Sequence, residues 1–95
     1  MGKTITIRYD TQQLLSILKY RLGYRSYSDL IRKMLEDAGE INLSDVVLDT
    51  RERYIGHTTI SLNDDVYEAL DKIRRQYGYS FDTVLQKLMK AVGFV

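Results

Sequence analysis

Apolar and polar residues alternate at the start of the chain. Ile5, Ile7 and Tyr9 fall on one side, Thr4, Thr6 and Arg8 on the other. A period of two predicts a strand with one buried face. The pattern returns at residues 59–63, where Ile60 and Leu62 oppose Thr59, Ser61 and Asn63. β-branched residues dominate both stretches, as a pleated surface favours. After each strand the period changes to that of a helix. Leu14, Leu15, Leu18 and Leu22 form one stripe, and Val66, Ala69, Leu70, Ile73 and Tyr77 form its later counterpart. A further helix follows each: Leu30, Ile31, Met34, Leu35 and Ala38, then Val84, Leu85, Leu88, Met89 and Val92.

The punctuation agrees with these elements. Asp10 or Thr11, and Asp64 or Asp65, are placed to cap the first helix of each set. Gly23 and Gly78 suit the C-terminal ends, where a left-handed conformation costs glycine little. Ser26 or Ser28, and Ser80 or Asp82, open the second helices; Gly39 and Gly93 close them. No proline interrupts any element.

The chain is therefore a duplication. Residues 4–10 reappear as residues 59–65, and Leu15 and Gly23-Tyr24 reappear as Leu70 and Gly78-Tyr79, all at an offset of 55. Beyond the Gly-Tyr pair the offset becomes 54, so Arg25 is one extra residue in the first copy. The division is 1–39 for the first strand-helix-helix unit, 40–57 for a linker, and 58–95 for the second unit. The linker holds Ser44-Asp45-Val46-Val47-Leu48 and Arg51-Glu52-Arg53. It reads as partly helical, capped by Asn42 or Ser44, with Val47 and Leu48 packing on the body.

A unit of about 35 residues cannot bury enough surface to fold alone, and an isolated strand leaves its backbone groups unpaired. Pairing the two strands as an antiparallel ribbon solves both problems. The expected fold class is mainly α with a small β component: a two-stranded ribbon lying on a four-helix core, floored by Ile5, Ile7, Ile60 and Leu62. The outer face would then show Thr4, Thr6, Arg8, Thr59, Ser61 and Asn63, flanked by Lys3 and Thr58. Those side chains are short to medium and rich in donors and acceptors. A two-stranded ribbon fits the DNA major groove, where each base pair shows its own donor and acceptor pattern. Arg8 suits guanine and Asn63 suits adenine.

The order strand, helix, Gly-Tyr, Ser, helix resembles the ribbon-helix-helix superfamily, which includes the Met and Arc repressors. Gly23-Tyr24-Arg25-Ser26-Tyr27-Ser28-Asp29-Leu30-Ile31-Arg32 is similar to that family's turn and second-helix start. Gly78-Tyr79-Ser80-Phe81-Asp82-Thr83-Val84-Leu85-Gln86 is one residue shorter and lacks the arginine. The matches cover about three quarters of the chain. Tandem members of this kind resemble regulators of archaeal viruses. The resemblance implies two interlocked motifs supplied by one chain. It also implies that the second helix's N-terminus holds a DNA phosphate, supported by Arg25, Ser26 and Ser28 in the first copy and by Ser80 in the second. Lys3 and Thr58 would add phosphate contacts at the ribbon. The implied partner is double-stranded DNA, with further self-association on it. The implied role is that of a sequence-specific transcriptional regulator, a repressor, acting in the cytoplasm at the nucleoid or in a host's cytoplasm.

Composition sets limits on other classes. Of the 95 residues 44% are apolar and 28% charged, as in a folded domain. There is no cysteine, so disulfides and cysteine-ligated metals are excluded. No apolar run approaches a membrane span. Residues 1–6 fit a loose myristoylation pattern, but a strand start explains them better. Net charge is only +1 and does not announce a nucleic-acid binder; the excess of Lys and Arg lies in residues 1–40, seven against five Asp and Glu.

Other chemistry has bland explanations. His57 is the one histidine and reads as a linker residue near the strand. Asp64-Asp65 reads as helix capping, the scattered tyrosines as core edges, and Met34 and Met89 as core positions. Lys72, Arg74 and Arg75 read as a solvated helix face. No nucleophile-and-base set or phosphate-binding glycine loop is present, so no enzyme, catalytic residue, metal or cofactor is expected. The competing expectation is a protein-interaction module of antitoxin type in which DNA binding is secondary. Such proteins carry a C-terminal segment beyond the last helix, whereas this sequence stops at Val95.

Overall fold

A computed structural model of the chain describes residues 2–39, 41–48 and 56–94. The elements run β1 (Lys3–Arg8), α1 (Tyr9–Leu22), α2 (Tyr27–Ala38), one 3₁₀ turn (Leu43–Asp45), β2 (His57–Leu62), α3 (Asp64–Tyr77) and α4 (Phe81–Ala91). Among the described residues the protein is thus mainly helical with a two-stranded antiparallel sheet. Among the described residues no helix is long and apolar enough to cross a membrane.

The strand register carries the architecture. Ile5 pairs with Ile60, Thr4 with Ser61, Thr6 with Thr59, Lys3 with Leu62, Ile7 with Thr58 and Arg8 with His57. Ile5 and Ile60 are also the equivalent residues of the internal repeat. An approximate two-fold axis therefore passes through that pair and relates one strand to the other. Each strand packs on the second helix of the opposite half: β1 on α4, and β2 on α2. The halves interlock, which is why neither could bury its strand without the other.

The core lies beneath the ribbon. Ile5, Ile7, Ile60 and Leu62 enter it from the strands, as their alternation predicts. Leu15, Leu18, Val66 and Leu70 enter from α1 and α3. The matched sets Leu30, Ile31, Met34 and Val84, Leu85, Leu88, Met89 come from α2 and α4. The predicted glycine ends hold at α1 and α3, where Gly23 and Gly78 have φ of 78° and 72°. The second helices start at the predicted serines. Ser26 Oγ accepts from the Asp29 N–H at 3.2 Å, and Ser80 Oγ from the Thr83 N–H at 3.2 Å.

Several local expectations are corrected. Tyr9 does not continue the strand face. It is the first residue of α1 and lies exposed, because the helix starts without an intervening loop. The N-cap positions are Arg8 and Asn63, not the following acids, and neither side chain makes a cap hydrogen bond. Leu14 and Leu22 are exposed on α1, and Thr11 is buried in their place, its hydroxyl accepting from Gln86 Nε2 at 3.2 Å. In the linker, Asn42 does cap the short turn, its Oδ1 accepting from the Ser44 N–H at 3.1 Å. Leu43 and Val46 pack on the body, while Val47 is 74% exposed. Lys87 Nζ anchors the turn by donating to the Leu43 carbonyl at 3.0 Å, and Lys90 Nζ donates to that of Val47. Arg51-Glu52-Arg53 lie outside the described residues.

Candidate functional site

On the ribbon's outer face, exposed polar side chains stand in a regular array. Thr4 beside Ser61 and Thr6 beside Thr59 form two adjacent cross-strand pairs, all four exposed. Among the described residues none of these four hydroxyls is used in an intramolecular hydrogen bond. Each hydroxyl can donate one bond and accept two, with an O–H that rotates to suit its partner. The four are related in pairs by the approximate two-fold, since Thr4 and Thr59 are repeat equivalents, as are Thr6 and Ser61.

The two ends of the ribbon are not alike. At one end Arg8 lies opposite His57 on the same outer face. The Arg8 side chain is 25% exposed, and its Nη2 pairs with Asp10 Oδ2 at 3.2 Å. The guanidinium is therefore tied down beside the face, not extended over it. His57 is the first residue of β2 and is exposed, not a linker residue as its sequence context suggests. His57 continues the outer face of Thr59 and Ser61 at a spacing of two, but the polar Thr58 on the inner side hides the alternation there. At the other end Asn63 falls just outside β2. Its side chain is placed at the strand–helix junction and is exposed, not within the ribbon array as alternation predicts.

The phosphate-contact candidates separate into three groups. Ser26 and Ser80 cap α2 and α4, and Arg25 is exposed on the longer turn beside Ser26. Lys3 is exposed at the ribbon end, but its Nζ sits 4.8 Å from the centre of the Tyr67 ring. Ser28 and Thr58 are corrected. Ser28 is 2% exposed and its Oγ accepts from the Asn63 N–H at 2.8 Å, so it holds the fold and no ligand can reach it. Thr58 is half-buried opposite Ile7, on the inner side of the ribbon.

The α2 and α4 N-termini are fixed relative to the ribbon by two equivalent hydrogen bonds. The Asn63 N–H reaches Ser28 on α2, and the Arg8 N–H reaches Asp82 Oδ1 on α4 at 2.9 Å. Ser28 and Asp82 are repeat equivalents, as are Arg8 and Asn63. Both strand ends are thereby pinned to the first turn of a helix from the other half. Gln86 Nε2 donates to both Asp82 and Thr11, extending the network at the Arg8 end. At the Asn63 end, Arg32 occupies the place equivalent to Gln86 and bridges Asp29 and Asp65 at 3.1 and 3.0 Å. The guanidinium of Arg32 holds the Asp65 carboxyl below its ordinary value.

Among the described residues no group of three or more His, Cys, Asp or Glu is placed to hold a metal ion. A shallow apolar hollow lined by Leu35, Ile41, Leu43, Ile73, Tyr77 and Leu88 lies away from the ribbon and collects no titratable cluster. Comparison with protein-family models, curated proteins and solved structures finds no match to the chain.

Proposed function

We propose that this protein is a sequence-specific duplex-DNA-binding transcriptional regulator of ribbon-helix-helix type, a repressor, with both motifs of the pair carried on one chain. The observation that carries the reading is the array of four exposed hydroxyls, Thr4, Thr6, Thr59 and Ser61, on one face of an isolated two-stranded ribbon. A ribbon of this width fits the major groove, and rotatable hydroxyls there can meet either donors or acceptors on base edges. Two further features support it. The capped N-termini of α2 and α4 are pinned at the two ends of the ribbon, where free backbone N–H groups could take one phosphate each. Arg25 and Lys3 both add positive charge at the α2 end. Against this stand Ser28 and Thr58, which drop out of the proposed contact set.

The expected site is asymmetric. One end of the ribbon offers Arg8 with His57, the other Asn63 with Gly2, so the two half-sites need not share a sequence. For Arg8 to read a base, its guanidinium must swing from Asp10 or carry that pairing to the edge of the groove. The reading is tested by selecting bound sites from random duplex DNA with the purified protein. A short enriched motif, bound with a steep salt dependence, is expected. Absence of enrichment at low salt would overturn it.

A further inference from the structure

Helix α1 is apolar on the side turned away from the core. Tyr9 is 41% exposed, Leu14 40%, Ile17 55% and Tyr20 89%. Leu14, Ile17 and Tyr20 succeed one another every three residues, and Tyr9 lies about three turns before Tyr20, so the four share one broad outer face. An apolar face of this kind on a folded domain marks an interaction surface more often than chance.

The repeat supplies an internal control. At the equivalent positions α3 carries Asp64, Ala69, Lys72 and Arg75. The two helices have the same length and do the same work on their buried sides. Packing of the fold therefore does not demand apolar residues on the outer strip. What α1 presents there is specific to the first half.

We infer that the outer face of α1 is a homodimer interface, in which α1 packs antiparallel on α1 of a second copy of this chain. The choice of occupant rests on charge. Asp10, whose carboxylate also pairs with Arg8 at 3.2 Å, lies in the first turn of α1 and Arg21 in the last, both on the part of the outer face that holds Leu14 and Ile17. A two-fold pairing centred between Leu15 and Ser16 sets Leu14 against Ile17 of the second copy, and Asp10 against its Arg21. Both contacts occur twice by symmetry. Antiparallel dipoles favour the same arrangement. Arg21 makes no ion pair among the described residues, whereas Lys19, the other basic residue of the last turn, is turned to the Tyr27 ring at 5.1 Å. Because α3 lacks the strip, assembly stops at two chains and no filament forms. The contact spans one helix of 14 residues, about 21 Å long, so it is small and the association is expected to be in the micromolar range or weaker. The inference stands whether or not the ribbon binds DNA.

Sedimentation equilibrium of the full chain, from low micromolar to millimolar concentration, tests it. The mass should rise from one chain to two and go no further. Ile17→Lys combined with Tyr20→Arg, the residue types α3 carries at its equivalent positions, should keep the fold by circular dichroism and weaken dimerisation by about tenfold or more. Asp10→Lys and Arg21→Glu should each weaken self-association, and a mixture of the two variants should form a heterodimer. Four outcomes would each overturn the inference: a wild-type chain that stays monomeric throughout, a mass that passes two chains, an Ile17→Lys, Tyr20→Arg double variant that dimerises like wild type, or a mixture that fails to associate.

Discussion

The Arg8 N–H donates to Asp82 Oδ1 at 2.9 Å, joining the end of β1 to the first turn of α4 across 74 residues of sequence. Its symmetry mate joins Asn63 to Ser28 at 2.8 Å. These bonds do for the strand ends what further strands would do in a larger sheet. Asp82→Ala should lower stability by about 1–3 kcal/mol, because it removes the acceptor from two donors at once. Ser28→Ala should cost less, since one donor loses its partner. The two sites lie at opposite ends of the ribbon, about 20 Å apart, so their effects should add to within about 0.5 kcal/mol. Urea denaturation of the two single variants and the double variant measures this.

Met34 on α2 and Met89 on α4 are both fully buried, one in each half of the repeat, where Met34 corresponds to Leu88 and Met89 to Leu35. Truncation to alanine should cost about 2–5 kcal/mol at either position, from lost burial and the cavity left behind. The interlocked packing of β1 on α4 and β2 on α2 makes one core, not two. Each variant should therefore lower one shared unfolding transition without splitting it. Two separable transitions by circular dichroism and tyrosine fluorescence would mean that the halves fold independently.

Much of this arrangement is legible in the sequence, because alternation and helical spacing report burial directly. Ile5, Ile7, Ile60 and Leu62 are identified by period alone, and Gly23, Gly78, Ser26 and Ser80 by their chemistry at helix ends. Two of the misread residues, Thr11 and Ser28, have neighbours that lie far away in sequence. Thr11 is buried because Gln86, 75 residues on, supplies its hydrogen bond. Ser28 looks like a surface cap residue, and becomes inaccessible only when Asn63 from the other half closes on it. Alternation runs on into Tyr9 because no turn residue separates β1 from α1. On α1 the apolar residues occupy more than one face, so periodicity does not tell Leu15 from Leu14 or Ile17.

Asp71, almost buried on α3, accepts from Arg74 at 2.6 Å and pairs with Arg75 at 2.8 Å. The Arg74 hydrogen bond holds its carboxyl below the ordinary value, outweighing partial burial, and the charges of Arg75 and Arg74 add to the effect. The folded value lies below the unfolded one. The stabilisation is therefore complete above the unfolded value and is lost as pH falls through the folded value. Asp71→Asn should be less stable than wild type at neutral pH, and the difference should close in acid. Lys33 gives the opposite sign. Its hydrogen bond to Asp37 raises its value, so that contribution persists through neutral pH and fades only as pH rises through the alkaline range. Denaturant midpoints across pH for both variants, Asp71→Asn and Lys33→Met, measure the two slopes.

The proposed reading of DNA separates ribbon residues from residues that hold the fold. Thr6 and Thr59 are exposed and make no intramolecular side-chain hydrogen bond among the described residues. Replacing either by alanine should lower stability by no more than about 1 kcal/mol, from lost strand preference and the cross-strand pair, yet weaken binding to a selected site. Arg8→Ala should cost about 1–3 kcal/mol of discrimination against the wrong base, with a smaller loss on random duplex. Arg25→Ala should behave differently: affinity should fall about equally on both duplexes, and the salt slope should drop by about one contact. Fluorescence anisotropy titrations at several salt concentrations distinguish the two patterns. Equal losses for Arg8→Ala on both duplexes would make Arg8 a phosphate contact, in keeping with its tether to Asp10, and would leave base reading to the four hydroxyls.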